Sequence, residues 1–161
     1  MAVEKINIKI KRIGKGFPSL SMPIFQTEGA SGCDLMADVE QSILLLPHER
    51  KLVPTGIAVA IPQGFEGQIR PRSGWAAKLG ITVANAPGTI DSDYRGEIQV
   101  ILINLGSQEV SIQRGDRIAQ LVIQKVYRIE WEEVDSLDVT QRAEGGFGHT
   151  GKGECSPRER V

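Results

Sequence analysis

Gly88-Thr89-Ile90-Asp91-Ser92-Asp93-Tyr94-Arg95-Gly96 is a polar, turn-rich stretch held between two strand-like runs, residues 81–84 and 97–104. Those runs set the pattern for the rest of the chain. Ile6, Ile8 and Ile10 alternate with Asn7, Lys9 and Lys11, the two-residue period of a strand with one buried face. Similar runs recur at 42–46, 51–61, 67–70, 108–112 and 119–125, separated by turn formers such as Pro47-His48, Pro62-Gln63-Gly64 and Gly115-Asp116. Turn signals about every 8–12 residues predict an all-β sandwich or barrel. Only Ser73-Gly74-Trp75-Ala76-Ala77-Lys78-Leu79-Gly80 reads as a helix, with Ser73 as its N-cap and Gly80 just beyond its end.

Composition agrees with this reading. The 161 residues suit one domain, and 40% apolar with 24% charged residues allow a sizeable core. Glycine, 18 residues, is about 11% of the chain, and with 8 prolines it points to many tight turns. Nineteen basic against twenty acidic residues leave a net charge of −1, which excludes bulk attraction to nucleic acid or an anionic membrane. Cys33 and Cys155 offer neither a disulfide framework nor zinc spacing. No apolar run approaches a membrane span, and residues 1–7 have no apolar leader region, so a soluble cytoplasmic protein is expected. Beyond residue 139 the character changes. The expected organisation is a catalytic body over 1–139, a glycine-rich arm over 140–151 and a polar, disordered tail over 152–161.

Five stretches carry residues capable of chemistry. Arg72-Ser73-Gly74 opens the helix, where unpaired N–H groups, a guanidinium and a hydroxyl suit phosphate, although a capped helix with an exposed arginine explains them equally. In the 88–96 stretch the acids can be simple turn formers. Asp91, placed after apolar Ile90 at the mouth of a hairpin, can also be a base that activates water, and Tyr94 offers a flat face to a sugar or ring. Residues 114–120 read as a charged turn entering a strand, with Gln120 as a buried amide in need of partners. The arm, with Arg142 and Phe147 among glycines, is either a flexible tail or a wrap around a ligand. Asp34, in the stretch 30–37, is either a turn former or a carboxylate near a divalent cation, acting through water.

In order and joint spacing these stretches resemble the five motifs of the trimeric deoxyuridine triphosphatases (dUTPases): 30–37, 71–74, 88–96, 114–120 and 142–151. The resemblance implies a β jelly-roll subunit with one short helix and a flexible C-terminal arm, in a homotrimer whose active sites are shared between subunits. It implies Mg2+-dependent hydrolysis of dUTP to dUMP and pyrophosphate, which keeps uracil out of DNA and supplies dUMP for dTMP synthesis. By position it makes Asp91 the base toward the water attacking the α-phosphorus. Arg72, Ser73, Gly74 and Gln120 become phosphate contacts. Asn85 and the backbone near Ile98 and Gln99 pair with the uracil edge, and Gly88, Thr89 and Ile90 are further substrate contacts. Tyr94 lies under deoxyribose, Arg142 holds the γ-phosphate, and Phe147 stacks on uracil with Gly148, His149 and Thr150 alongside. Asp34 contacts the metal shell through water.

Two rivals share the scaffold. A deoxycytidine triphosphate deaminase would need a glutamate base in a second acidic motif, and this chain carries the full arm instead. A non-catalytic nucleotide sensor would be expected to have lost the base, and Asp91 is present.

Overall fold

The computed structural model describes residues 5–13 and 20–146. Eleven strands and one helix lie among them: β1 Lys9–Arg12, β2 Cys33–Met36, β3 Ile43–Leu45, β4 Arg50–Pro54, β5 Ile57–Ala60, β6 Phe65–Arg70, α1 Ser73–Leu79, β7 Ile81–Val83, β8 Gly88–Ile90, β9 Gln99–Asn104, β10 Val110–Ile112 and β11 Arg117–Lys125. All pairings are antiparallel. They build a four-stranded sheet in the order β2-β11-β6-β8, a three-stranded sheet β4-β9-β7, and the pairs β1-β5 and β10-β3. The all-β expectation with a single short helix therefore holds.

One core serves all four sheets. Leu35, Leu45, Val53, Val59, Ile69, Ile81, Leu102, Ile112 and Ile118 come from nine different strands and are all buried in it. The alternation along β9 is clear: Val100, Leu102 and Asn104 point inward, while Gln99, Ile101 and Ile103 are half-buried or exposed. Hydrophobic burial of this kind stabilises by about 25 cal/mol per Å² of apolar surface removed from water.

The chain divides into two compact units, Met1–Tyr127 and Arg128–Val161. The core-bearing unit thus ends upstream of the 139/140 boundary expected from composition. Ile129, Trp131, Leu137 and Val139 in the second unit are exposed, so their apolar character does not mark a core strand. Among the described residues no helix is long and apolar enough to cross a membrane.

Several local expectations shift. The strand read at 6–10 forms at Lys9–Arg12 and is exposed along its whole length, because it pairs only with β5. Ile8 alone of that isoleucine series packs on the core, partly buried. The run 51–61 is two strands, interrupted at Thr55-Gly56. The helix begins differently too. Arg72, extended at φ −88°, is the N-cap, and its carbonyl accepts from the N–H groups of Trp75 and Ala76 at 3.1 and 3.0 Å. Ser73 is the first helical residue, so its hydroxyl is not the cap, and the N-cap makes no side-chain capping bond. Gly80 ends the helix in the left-handed region (φ 71°), a conformation that penalises residues with a Cβ.

Asn104 ties β3 to the loop between β9 and β10. Its Nδ2 donates to the carbonyls of Leu45 (3.0 Å) and Gln108 (2.7 Å), and its Oδ1 accepts from Gly106 N–H (2.9 Å). The residue is fully buried, so truncation strands polar groups away from water. Asn104→Ala should lower unfolding stability by about 2–4 kcal/mol, measured by urea denaturation at fixed protein concentration; a midpoint within error of the parent would contradict this.

Candidate active site

The loop between β8 and β9 is held by its own short bonds. Tyr94 N–H donates to Asp91 O at 3.1 Å, closing a turn over Asp91-Ser92-Asp93-Tyr94. Arg95 then spans the loop, its Nη1 donating to Ser92 O (2.7 Å) and Tyr94 O (2.8 Å). The Tyr94 hydroxyl donates to the carbonyl of Glu97 at 2.9 Å, which lays the ring along the loop. A Cβ at position 96 would stand 2.6 Å from Tyr94 Cζ, so only glycine lets the ring lie there.

This loop rims a cavity of about 260 Å³. Asn85, Gly88, Thr89, Ile90, Asp91, Tyr94 and Gln99 all line it, seven residues that the motifs had singled out. Register explains how β8 carries its part: Gly67 pairs with Ile90, Gln68 with Thr89 and Ile69 with Gly88, so the strand stays extended up to Asp91. Ile69, Val83 and Val100 supply apolar wall. An apolar slot with a few polar groups at its rim fits a flat, edge-reading ligand such as a nucleobase. Among the described residues no lysine or arginine lines the cavity, whereas Asp91 and Glu97 both do.

The cations lie in a second cluster. Antiparallel register sets Asp34 of β2 opposite Gln120 of β11, and Gln120 opposite Arg70 of β6. The Asp34 side chain is 3% exposed and fully engaged. Oδ1 meets Arg72 Nε at 3.3 Å and Gln120 Nε2 at 3.2 Å, and Oδ2 meets Arg117 Nη1 at 3.1 Å. Arg72 Nη1 also donates to Arg117 O at 2.9 Å, so one guanidinium bridges β2 and β11. A carboxylate this buried needs such partners, since leaving it charged and unpaired would cost several kcal/mol. Next to it, burial and then the Asp34 charge push the Cys33 thiol above its usual value, which makes it a poor nucleophile.

The sequence-derived sites thus fall into two places. Ser73 and Gly74 follow Arg72 into α1, beside the Asp34 cluster and away from the cavity wall. The Ile98 side chain is fully buried in the core and does not line the cavity, the expectation there having concerned its backbone. Its N–H already donates to Ile57 O (2.8 Å), and its carbonyl accepts from Thr55 Oγ1 (2.6 Å). Arg142 belongs to the second unit, where its Nε donates to Gly145 O at 2.8 Å within a local turn. Phe147, Gly148, His149 and Thr150 lie outside the described residues. The charged turn expected at 114–116 is present: Gln113 N–H donates to Asp116 Oδ2 (2.7 Å) and Arg114 pairs with Asp38 (2.7 Å).

Sequence reasoning missed Glu97 and Arg117. Arg117 had a readable signal, because a buried Asp34 demands a counter-charge and Arg117 sits in the fourth motif. Glu97 had none, since its partner lies 41 residues away. No cluster of three or more His, Cys, Asp or Glu that could hold a metal exists among the described residues. With both Asp34 oxygens occupied by cations and an amide, the residues present do not fit a protein-built magnesium cage.

The chain matches the family model described as dUTPase over residues 19–151. Among curated proteins, the deoxyuridine 5'-triphosphate nucleotidohydrolase of Rickettsia felis is 58% identical over 144 residues, covering 89% of this chain and 96% of that protein. The enzyme of the same name from Wolbachia sp. subsp. Brugia malayi is 54% identical over 150 residues, covering 92% and 96%. Among solved structures, a Staphylococcus bacteriophage 80alpha dUTPase with dUPNHPP superposes with a TM-score of 0.80 at 25% identity, covering 91% of this chain and 99% of that one. The β jelly roll, the five ordered motifs and this degree of identity lead to one conclusion: the chain belongs to the dUTPase family, whose reaction is the hydrolysis of dUTP to dUMP and pyrophosphate.

Proposed function

We propose that the cavity takes the deoxyuridine half of dUTP and that Asp91 is the base toward the water that attacks the α-phosphorus. The observation that carries this is the convergence of Asn85, Gly88, Thr89, Ile90, Asp91, Tyr94 and Gln99 on one cavity wall. The amides of Asn85 and Gln99 and the free backbone edge nearby match the donors and acceptors of uracil. Cytosine reverses that pattern and would leave buried groups unpaired. A 5-methyl group would clash with a rigid wall, which adds repulsion to the limited discrimination available in an apolar slot. The Tyr94 ring, flat against Gly96, packs under deoxyribose and closes the space a 2′-hydroxyl would need. Asp91 stands where β8 gives way to the turn, exposed to water and able to accept its proton.

The triphosphate cannot be held by this wall alone, because its only charged members are acids. We therefore assign its neutralisation to Arg72, Ser73, Gly74 and Gln120 of a neighbouring copy, with Arg142 and the 147–150 segment of an arm. The site would then be shared between copies, as in the homotrimer that the resemblance implies. Exposed Leu44, Leu46, Leu52 and Leu105 on the first unit supply apolar surface for such assembly. With no carboxylate cage among the described residues to hold it, magnesium would come as part of the nucleotide substrate. It offsets phosphate charge when bound. Asp34 serves it at most through water.

Two outcomes test the reading. Asp91→Asn should lower kcat for pyrophosphate release from dUTP by about 10²–10⁴-fold, with a smaller change in KM; undiminished turnover would remove Asp91 from the chemistry. Native mass measurement should give about 53 kDa, three chains of 17.6 kDa each. A fully active 17.6 kDa species would contradict a shared site.

A further inference from the structure

Glu97 is the second acid of the cavity wall, and the hydrolysis as described gives it no task. Its Oε1 accepts from the N–H of Gly56, in the turn between β4 and β5, at 2.8 Å. Its own carbonyl accepts the Tyr94 hydroxyl at 2.9 Å. The next residue completes a seam. Ile98 N–H donates to Ile57 O at 2.8 Å, and buried Thr55 donates its hydroxyl to Ile98 O at 2.6 Å. Residues 97–98 are thus bonded to residues 55–57 three times, and only one of those bonds comes from a side chain of the cavity wall. The bonds given above for the loop at 91–95 are internal to it, so the position of the Tyr94 ring is set by the carbonyl of Glu97 to which it is tied.

We propose that Glu97 is a positioning residue for sugar discrimination: through Gly56 it fixes the carbonyl that holds the Tyr94 ring against the ribose 2′ position. This rests on the reading of Tyr94 as the surface under deoxyribose. Deoxyribose and ribose differ by one oxygen, so a ring that rises or tilts by a fraction of an ångström admits the larger sugar. A carboxylate suits the role better than a neutral acceptor of the same length, because a hydrogen bond to an ionised oxygen is the stronger one. Glu97 Oε2 also lies 3.5 Å from Gln99 Nε2, so the same carboxylate steadies a second wall residue.

The test is steady-state pyrophosphate release from dUTP and from UTP by the full chain bearing Glu97→Ala, Glu97→Gln, Tyr94→Phe or Tyr94→Ala, with melting temperature recorded for each. Glu97→Ala should lower the dUTP-to-UTP ratio of kcat/KM by about tenfold, mainly through KM, as expected for one charge-assisted bond. Glu97→Gln, which keeps an acceptor for Gly56 N–H, should recover most of that ratio. Tyr94→Phe removes only the hydroxyl from an exposed ring, and it should lower the ratio without lowering the melting temperature by more than a few degrees. If Glu97→Ala reduces both substrates in proportion, Glu97 is a structural tie and the proposal fails. If it does not fold, Tyr94→Phe decides: an unchanged ratio overturns the proposal. A ratio that collapses in Tyr94→Ala but stays constant in Glu97→Ala and Tyr94→Phe overturns it while leaving Tyr94 in place. A ratio unaffected by Tyr94→Ala overturns the sugar-platform reading itself.

Discussion

Like charges decide how this site must be assembled. A triphosphate brings roughly four negative charges to a cavity whose carboxylates, among the described residues, are Asp91 and Glu97. At an effective dielectric of about 20, each such pair at 4 Å repels by about 4 kcal/mol. Several such terms outweigh what an apolar slot of this size contributes, and this is the reason for the proposal that cations reach the phosphates from a neighbouring copy. Within the first unit the cations gather on a carboxylate outside the base pocket: Arg72 and Arg117 sit on Asp34.

The Asp34 cluster is the counterpart of that constraint. Two guanidiniums converging on one buried carboxylate leave net positive charge and N–H groups to spare, because each arginine has five donors. Asp34 aims Arg72, and the bond from Arg72 to the Arg117 carbonyl holds the helix start against β11. Antiparallel register then does the measuring. Asp34, Gln120 and Arg70 stand abreast on three adjacent strands, and Ile69 of the same β6 strand pairs with Gly88 of β8. One strand therefore links the cation cluster to the cavity wall without any loop between them, which is how a β scaffold fixes chemical groups more firmly than loops can.

Much of this was readable from local pattern. Strands such as β9 and β11 announce themselves as short apolar runs between turn formers, and Asp91, Tyr94 and Gly96 by residue type and spacing. What local pattern misses is anything decided across the sheet. Thr89 and Ile90 look like part of a turn, yet β6 recruits them into β8. Ile98 looks available to a ligand until Thr55 and Ile57, more than forty residues earlier, take both its backbone groups. Ser73 has a good capping side chain, but the extended backbone of Arg72 makes the preceding residue the cap. Glu97 is the clearest instance: a charged residue at a strand entrance reads as solvated, and only the turn at Gly56 gives it a partner.

On the proposed reading, dividing the site into an anionic reader and a separate cationic grip also governs what leaves it. The cavity would read base and sugar with bonds that dUTP and dUMP offer alike, so it would not by itself tell substrate from product. The grip would. Cleavage at the α-phosphorus detaches pyrophosphate, and with it most of the charge that Arg72 and Arg142 are proposed to hold. The remaining monophosphate would then face Asp91 and Glu97 with less to bind it, and like-charge repulsion would favour its release.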